Sequence, residues 1–170
     1  MSELLKKIHL FDNLTDRELE KIQNICVQET HAKDTKLFNE GDPGNRCYLI
    51  TKGAVRISKF IPNIGEEALA VLKVGDYFGE MALIDNFPRS AYAIANTDIE
   101  VLAIDKIELD YILNMDHELA NKLLWKFTET LSRRLRETNE KMAGFLALSG
   151  GFKLFPLSTA SLSGIVSLPQ

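Results

Sequence analysis

Six glycines divide the middle of this chain, from about residue 28 to residue 105, into short segments rich in β-branched and other apolar residues. The glycines are Gly41, Gly44, Gly53, Gly65, Gly75 and Gly79, and the segments are Cys47–Thr51, Ala54–Phe60, Ala68–Lys73, Ala91–Ala95 and Ile99–Ile104. Short strands about 8–12 residues apart, with turn residues between them, are typical of antiparallel barrels and jelly rolls. No β-α-β alternation is visible, so a parallel sheet is not expected.

Helical patterns flank this β-rich region on both sides. The segment Thr15-Asp16-Arg17-Glu18 has the spacing of a capping box, in which a hydroxyl and an acid three residues later satisfy each other's backbone amides. Apolar residues follow on one helical face, which predicts a helix over residues 15–26: Leu19, Ile22 and Ile25. Together with the strands, this predicts an α+β protein: an antiparallel jelly-roll barrel with short N-terminal helices.

After Asp105 the pattern becomes helical again, with a short helix expected over Ile107–Asn114 and a long one over residues 116–148. Within the long helix, residues recur at alternating intervals of four and three, which is the pattern of a coiled-coil seam. They are Leu124, Thr128, Leu131, Leu135, Thr138, Met142, Phe145 and Ser149. The seam predicts a homodimer through residues 116–148. Its hydroxyl residues either set register and partner choice or mark a place where something polar binds.

The composition of the 170 residues fits one domain, residues 1–148, followed by an apolar Gly/Ser-containing tail, residues 149–170. The net charge of −4 argues against a general nucleic-acid binder, which needs a basic face. Cys26 and Cys47 show no metal-ligand spacing and are expected to be reduced. We predict a cytoplasmic protein, because no segment has the length of a membrane helix and residues 1–7 have no apolar signal region.

The segment Phe78–Ala91 carries the residues best suited to bind a ligand. Arg89 offers a planar fork that bonds two oxygens of a phosphate at once. Gly79, Ala82 and Ala91 allow close approach of backbone amides, Ser90 offers a hydroxyl, and a carboxylate such as Glu80 accepts hydrogen bonds from a sugar. The pattern therefore indicates a sugar phosphate. A surface pair between Glu80 and Arg89 is the structural alternative for any one of these residues alone.

The same segment resembles the phosphate-binding cassette of the cyclic-nucleotide-binding domain family. Phe78-Gly79-Glu80, then Ala82-Leu83, then Arg89-Ser90-Ala91 match that family's motif in order and spacing. Further matches lie at Gly41–Gly44, Cys47–Ile50 and Lys52–Val55, so the resemblance covers about residues 8–148. It implies a jelly-roll fold and a cyclic-nucleotide ligand.

The resemblance also implies roles for individual residues. Glu80 would accept the ribose 2′-hydroxyl and Arg89 would pair with the cyclic phosphate. Backbone amides would complete the phosphate cradle, from around Gly79, Met81 and Ala82 and from Ser90 or Ala91. Phe78 belongs to the same motif, and Leu72 or Val71 would face the base.

Within the long helix, Ser132–Lys141 resembles the dimerisation helix of bacterial transcription activators in this family. In those proteins a Thr-Ser pair contacts the adenine amino group, and Thr138-Asn139 stands at the corresponding place. The resemblance favours cyclic AMP over cyclic GMP as the ligand.

The favoured function is a stand-alone receptor that signals to a protein effector, and three other functions compete with it. The residues after Gly151 carry one charge, Lys153, and are too few for a helix-turn-helix, so direct DNA binding is not expected. The three histidines, His9, His31 and His117, are scattered and predict neither a metal site nor a phosphodiesterase or cyclase. An adaptor of the same fold that senses another ligand, or none, is the alternative.

The sequence leaves three alternatives for the tail, residues 149–170. It is disordered, it covers an apolar surface, or it docks on a partner.

Overall fold

The structure is a computed structural model that describes residues 2–85 and 87–148. The N-terminal part contains α1 (Ser2–Leu5), a 3-10 turn (His9–Phe11) and α2 (Asp16–Asn24). Eight strands follow, interrupted by the one-turn helix α3 (Met81–Ile84): β1 (Cys26–His31), β2 (Lys36–Phe38), β3 (Arg46–Lys52), β4 (Ala54–Ile61), β5 (Gly65–Lys73), β6 (Tyr77–Phe78), β7 (Tyr92–Ala95) and β8 (Ile99–Asp105). The last helices are α4 (Lys106–Met115) and α5 (His117–Leu148).

The strands form two four-stranded antiparallel sheets, in the orders β1-β8-β3-β6 and β2-β7-β4-β5. This confirms the predicted α+β jelly roll with short N-terminal helices and a long C-terminal helix. The five predicted strands are each present within three residues of their expected ends. Three short or polar strands, β1, β2 and β6, were not predicted individually.

The chain divides into two compact units, Met1–Glu129 and Thr130–Gln170, and the described part of the second unit is the C-terminal portion of α5. This boundary differs from the predicted one at residue 148, since it falls inside the long helix. The predicted tail, residues 149–170, and the last seam residue, Ser149, lie outside the described residues. None of the described helices combines the length and the hydropathy needed to cross a membrane.

Strands β3 and β8 are buried on both faces, so they connect the two hydrophobic clusters of the first unit. Cys47 and Leu49 of β3 point toward the helices, while Tyr48 and Ile50 point between the sheets. The helical layer consists of Leu5, Ile8, Leu10, Phe11, Leu19, Ile22, Leu109, Leu119, Leu123 and Phe127. Burial on two faces explains why these strands read as continuous apolar runs rather than as alternating patterns.

Helix α2 begins with the predicted capping box. The Thr15 hydroxyl accepts a hydrogen bond from the Glu18 amide at 3.4 Å, and a Glu18 carboxylate oxygen accepts one from the Thr15 amide at 2.7 Å. The helix ends at Asn24 rather than at the predicted residue 26, because Cys26 already pairs with Ile104 in the sheet.

The Glu18 carboxylate also contacts α5, where Lys122 Nζ lies 2.9 Å from its Oε1. Burial of Glu18, which is 7% exposed, favours the neutral acid. Hydrogen bonds from Lys122 and Thr15 outweigh that effect and lower the pKa of the Glu18 carboxyl from its ordinary value of 4.5. The capping box therefore also positions an ion pair between α2 and the start of α5.

We expect Thr15→Ala to lower the free energy of unfolding by about 1 kcal/mol, because it removes a cap and leaves an amide of α2 without its acceptor. Urea unfolding followed by far-UV circular dichroism measures the change. Thr15→Ser keeps the hydroxyl and is the matched control, for which we expect a value near that of the wild type. Equal midpoints for Thr15→Ala and the wild type would contradict the capping role.

Candidate functional site

Arg89 is a buried cation between the two sheets. Its side chain is held by two contacts: Nη1 donates to the Gly79 carbonyl at 3.1 Å, and Cζ lies 4.1 Å from the centre of the Phe38 ring. Its main chain is fixed as well, since its amide donates to the Asp42 carbonyl at 2.8 Å and its carbonyl accepts from the Gly41 amide at 2.9 Å. Both side chain and backbone of this residue are therefore fixed in place.

The electrostatic environment of Arg89 is unusual for a guanidinium group. The residue is only 7% exposed, and its buried Nε has no hydrogen-bond partner within residues 2–85 and 87–148. Burial lowers the pKa of Arg89, and nearby Tyr48, Cys47, Asp42 and Glu80 partly offset that effect. An unsatisfied N–H on a buried cation is costly, so the site is suited to an anion that accepts a hydrogen bond at that position.

Two glycines let the backbone approach Arg89 closely. Gly79 has a φ of +76°, and a Cβ placed on it would lie 2.7 Å from Arg89 Nη1. A Cβ on Gly44 would lie 2.5 Å from the Ala82 Cβ and 3.2 Å from Arg89 Nε. We call Gly44, Gly79, Ala82 and Arg89 the cradle, because no larger side chain fits at the two glycines.

Glu80 and the helix α3 continue the cradle. Glu80 precedes α3, has helical backbone angles (φ −63°, ψ −29°) and is 3% exposed. Its carbonyl accepts the Leu83 amide at 2.9 Å, and its charge acts on Arg89. The burial of Glu80 and Arg89 contradicts the alternative interpretation of the two as a surface pair. The first amides of a helix generally have no acceptors inside it, and the N-terminal end of α3 lies directly after Glu80.

The other residues predicted from the motif have different surroundings. Phe78 is 1% exposed and packs in the interior, with its ring centre 5.2 Å from that of Tyr48 and 6.0 Å from that of Phe38. Ala91 is buried, whereas Ser90 is exposed, with Oγ 3.8 Å from the Met81 sulfur. Asn86, inside the motif, lies outside the described residues.

The two β5 residues that were alternatives for contact with the base, Leu72 and Val71, differ in burial. Leu72 is half-buried and packs against the cluster between the sheets, while Val71 is 46% exposed. Thr138 and Asn139 lie on α5 in the second unit, and both are exposed. The Thr138 hydroxyl donates to the Arg134 carbonyl at 2.8 Å. Their role toward a base stays a prediction.

Sequence reasoning missed one residue beside the cradle, Phe38, and the tertiary contacts made by Gly44. Phe38 lies under the Arg89 guanidinium but belongs to a three-residue strand, which gives no periodic signal. Gly41–Gly44 was recognised as a turn of the family, although its contacts with Arg89 were not foreseen. The close approach of Gly44 to Ala82 depends on the tertiary fold. Among the described residues no group of three or more His, Cys, Asp and Glu side chains is arranged to hold a metal ion.

Comparisons with known proteins identify the family of this chain. The family model described as cyclic nucleotide-binding domain matches residues 28–116, just over half of the chain. A crystal structure of a cyclic nucleotide-binding domain from Methylobacillus flagellatus superimposes with a TM-score of 0.75 at 31% sequence identity, covering 84% of this chain and 80% of that one.

Two curated relatives are regulators. A cyclic AMP receptor protein of Thermus thermophilus is 31% identical over 79% of this chain and 61% of its own length. A CRP-like cAMP-activated global transcriptional regulator of Mycobacterium tuberculosis is 27% identical over 86% of this chain. This chain spans 63% of the length of the mycobacterial protein. Because that relative is a transcriptional regulator, the comparisons give no support to the expectation that this chain does not bind DNA.

The matched motif, the fold and the buried cradle around Arg89 lead to one conclusion: this chain belongs to the cyclic nucleotide-binding domain family.

Proposed function

We propose that this chain is a non-enzymatic receptor for cyclic AMP, with the cyclic phosphate bound at Arg89. The observation that carries the proposal is the buried Nε of Arg89, which has no hydrogen-bond partner in the described part of the chain. A cyclic phosphodiester has one negative charge and two free oxygens. One oxygen accepts a hydrogen bond from Nε, and the negative charge of the phosphodiester compensates the buried guanidinium.

The groups around Arg89 supply the remaining contacts. The Glu80 carboxylate accepts a hydrogen bond from the ribose 2′-hydroxyl, a role supported by its burial beside Arg89 in the same motif. Amides at Met81, Ala82 and Ala91 donate to the phosphate, together with Ser90 at the exposed rim. Phe78 supports the cradle from the interior by packing on Phe38, which lies beneath Arg89.

Leu72 is assigned to the base of the ligand. For Thr138-Asn139, a contact with the adenine amino group is what the resemblance of this helix to the family's dimerisation helix implies. Leu72 supplies an apolar surface facing the inside of the barrel. The threonine hydroxyl and asparagine amide both donate and accept hydrogen bonds, as an adenine amino group and ring nitrogen require. The name of the Thermus relative supports cyclic AMP. Binding of cyclic GMP, or of no nucleotide by an adaptor with this fold, is the alternative.

We further propose that the receptor acts as a homodimer and signals to an effector by repositioning its C-terminal helices. Seam residues of α5 support this, because large apolar side chains there are exposed in the single chain: Leu135 at 61%, Met142 at 57% and Phe145 at 70%. A ligand that binds one helix arrangement more tightly than another shifts the population toward it.

Isothermal titration calorimetry with cyclic AMP, cyclic GMP and 5′-AMP tests the receptor assignment. We expect saturable one-site binding of cyclic AMP, weaker binding of cyclic GMP, and little binding of 5′-AMP, whose phosphate is open and doubly charged. No binding of either cyclic nucleotide would favour the adaptor.

We expect Arg89→Met to weaken cyclic AMP binding by at least about 30-fold, because truncating one partner of a buried charged pair costs roughly 2–5 kcal/mol. The same variant removes a poorly solvated charge, so we expect its free energy of unfolding to stay within about 1 kcal/mol of the wild type. Arg56→Lys is the control, since Arg56 pairs with Glu66 on the β4–β5 hairpin. Wild-type affinity of Arg89→Met would refute the assignment.

We expect Leu135→Glu to convert a dimer to a monomer, because two carboxylates would be buried facing each other in the seam. Sedimentation velocity measures the outcome. Glu140→Lys changes charge outside the predicted seam and should leave the dimer intact. A monomeric wild-type chain, or a dimer that survives Leu135→Glu, would show that the seam is not the interface.

A further inference from the structure

Lys106, the first residue of α4, contacts two segments that meet at the cradle. Its Nζ donates to the Leu83 carbonyl near the C-terminal end of α3. Its backbone amide donates to the Asn45 carbonyl at 2.8 Å. One residue therefore connects α3 to the segment that precedes β3.

Both of these segments form walls of the cradle. Leu83 follows Ala82, and Asn45 follows Gly44. A Cβ on Gly44 would overlap the Ala82 Cβ and would lie 3.2 Å from Arg89 Nε. The two segments that Lys106 contacts thus touch each other beside the unsatisfied nitrogen of Arg89, and a shift of either one would change the space available to a ligand.

Helix α3 needs an external contact to keep its position. It has four residues, and a single helical turn is not stable on its own. The last carbonyls of a helix have no partner inside it, and a lysine side chain is one of the groups that satisfies them. The ammonium group of Lys106 does so at Leu83.

The start of α4 is itself firmly held, so Lys106 is a fixed anchor. Asp105, the preceding residue, accepts hydrogen bonds from Arg46 Nε at 2.7 Å and from Nη2 at 3.2 Å. The Lys106 side chain is 24% exposed, and its contact with Asp110 is a long 4.0 Å pair within α4. A pair of that kind contributes little, which leaves the Leu83 carbonyl as the principal partner of the ammonium group.

We propose that Lys106 is a positioning residue of the cradle. Without touching the ligand, it fixes α3 through the Leu83 carbonyl and fixes the Gly44 segment through its backbone amide. The amides of α3 and the Arg89 fork are thereby held at the separation that a phosphate requires. This inference rests on the proposed function for its effect on affinity, but its effect on α3 is independent of any ligand.

The experiment compares Lys106→Met, Lys106→Gln and Lys106→Arg with Lys126→Met. Lys126 is the matched control, because its side chain is also 24% exposed and it pairs with Asp12 and Glu129 rather than with α3. Calorimetry with cyclic AMP gives the affinity. Amide hydrogen exchange of residues 81–84, without and with cyclic AMP, gives the order of α3.

We expect Lys106→Met and Lys106→Gln to weaken cyclic AMP binding about tenfold, as loss of a charge-assisted hydrogen bond predicts, and to accelerate exchange in α3 even without ligand. Lys106→Arg keeps a charged donor, so we expect its cyclic AMP affinity and its exchange rate in α3 to stay near those of the wild type. Lys126→Met should change neither. Lys106→Gln carries the test if Lys106→Met does not fold.

Failure of this inference is distinguishable from failure of the proposed function. If the wild type binds cyclic AMP and Lys106→Met binds equally well, the positioning role is wrong and the receptor assignment stands. If the wild type binds no cyclic nucleotide, the receptor assignment is wrong, and exchange of α3 in the ligand-free variants still decides whether Lys106 orders it. Unchanged exchange there overturns the inference.

Discussion

The candidate site of the first unit depends on one buried charge, the guanidinium of Arg89. A cation that is 7% exposed with an unsatisfied Nε is costly, since water is displaced without full replacement. The surroundings reduce this cost only in part, through the Gly79 carbonyl and the face of Phe38. What remains is an interaction that an anion of the right shape completes.

The two-sided burial of β3 and β8 makes the cradle rigid. Tyr48 and Ile50 pack between the sheets, and Cys47 and Leu49 pack under the helices, so neither strand moves without disturbing both layers. The segment that precedes β3 contains Gly44, and the residue that follows β8 is Lys106. Gly44 of the cradle and Lys106 beside it are thus each joined in sequence to a strand that is buried on both faces.

The sequence was sufficient to predict the fold class, because the fold class depends on local patterns. Strands such as β4 and β8 combine glycine-bounded ends with β-forming residues, and the motif from Phe78 to Ala91 matches a known family in order and spacing. The burial of Glu80 and Arg89 is an observation of the structure, since the sequence left a surface pair open as the alternative. The capping box at Thr15 was predicted from four residues alone.

Features that depend on tertiary contacts were not predictable. Strand β1 is an edge strand with polar side chains, and β2 and β6 are too short to show a period. These strands are defined by their partners: β1 pairs with β8, β2 with β7 and β6 with β3. Phe38 under Arg89, Gly44 against Ala82 and Lys106 on Leu83 join residues distant in sequence. No local pattern encodes those contacts.

The most direct test of the account is the NMR signal of the Arg89 Nε–H group, identified by its loss in a substituted chain. On addition of cyclic AMP we expect this resonance to move downfield and to become protected from exchange with water, because the phosphate accepts its hydrogen. Adenosine, which lacks the phosphate, should leave it unchanged. A resonance that does not respond to cyclic AMP, or that responds equally to adenosine, would contradict the central claim that Arg89 is the phosphate receptor.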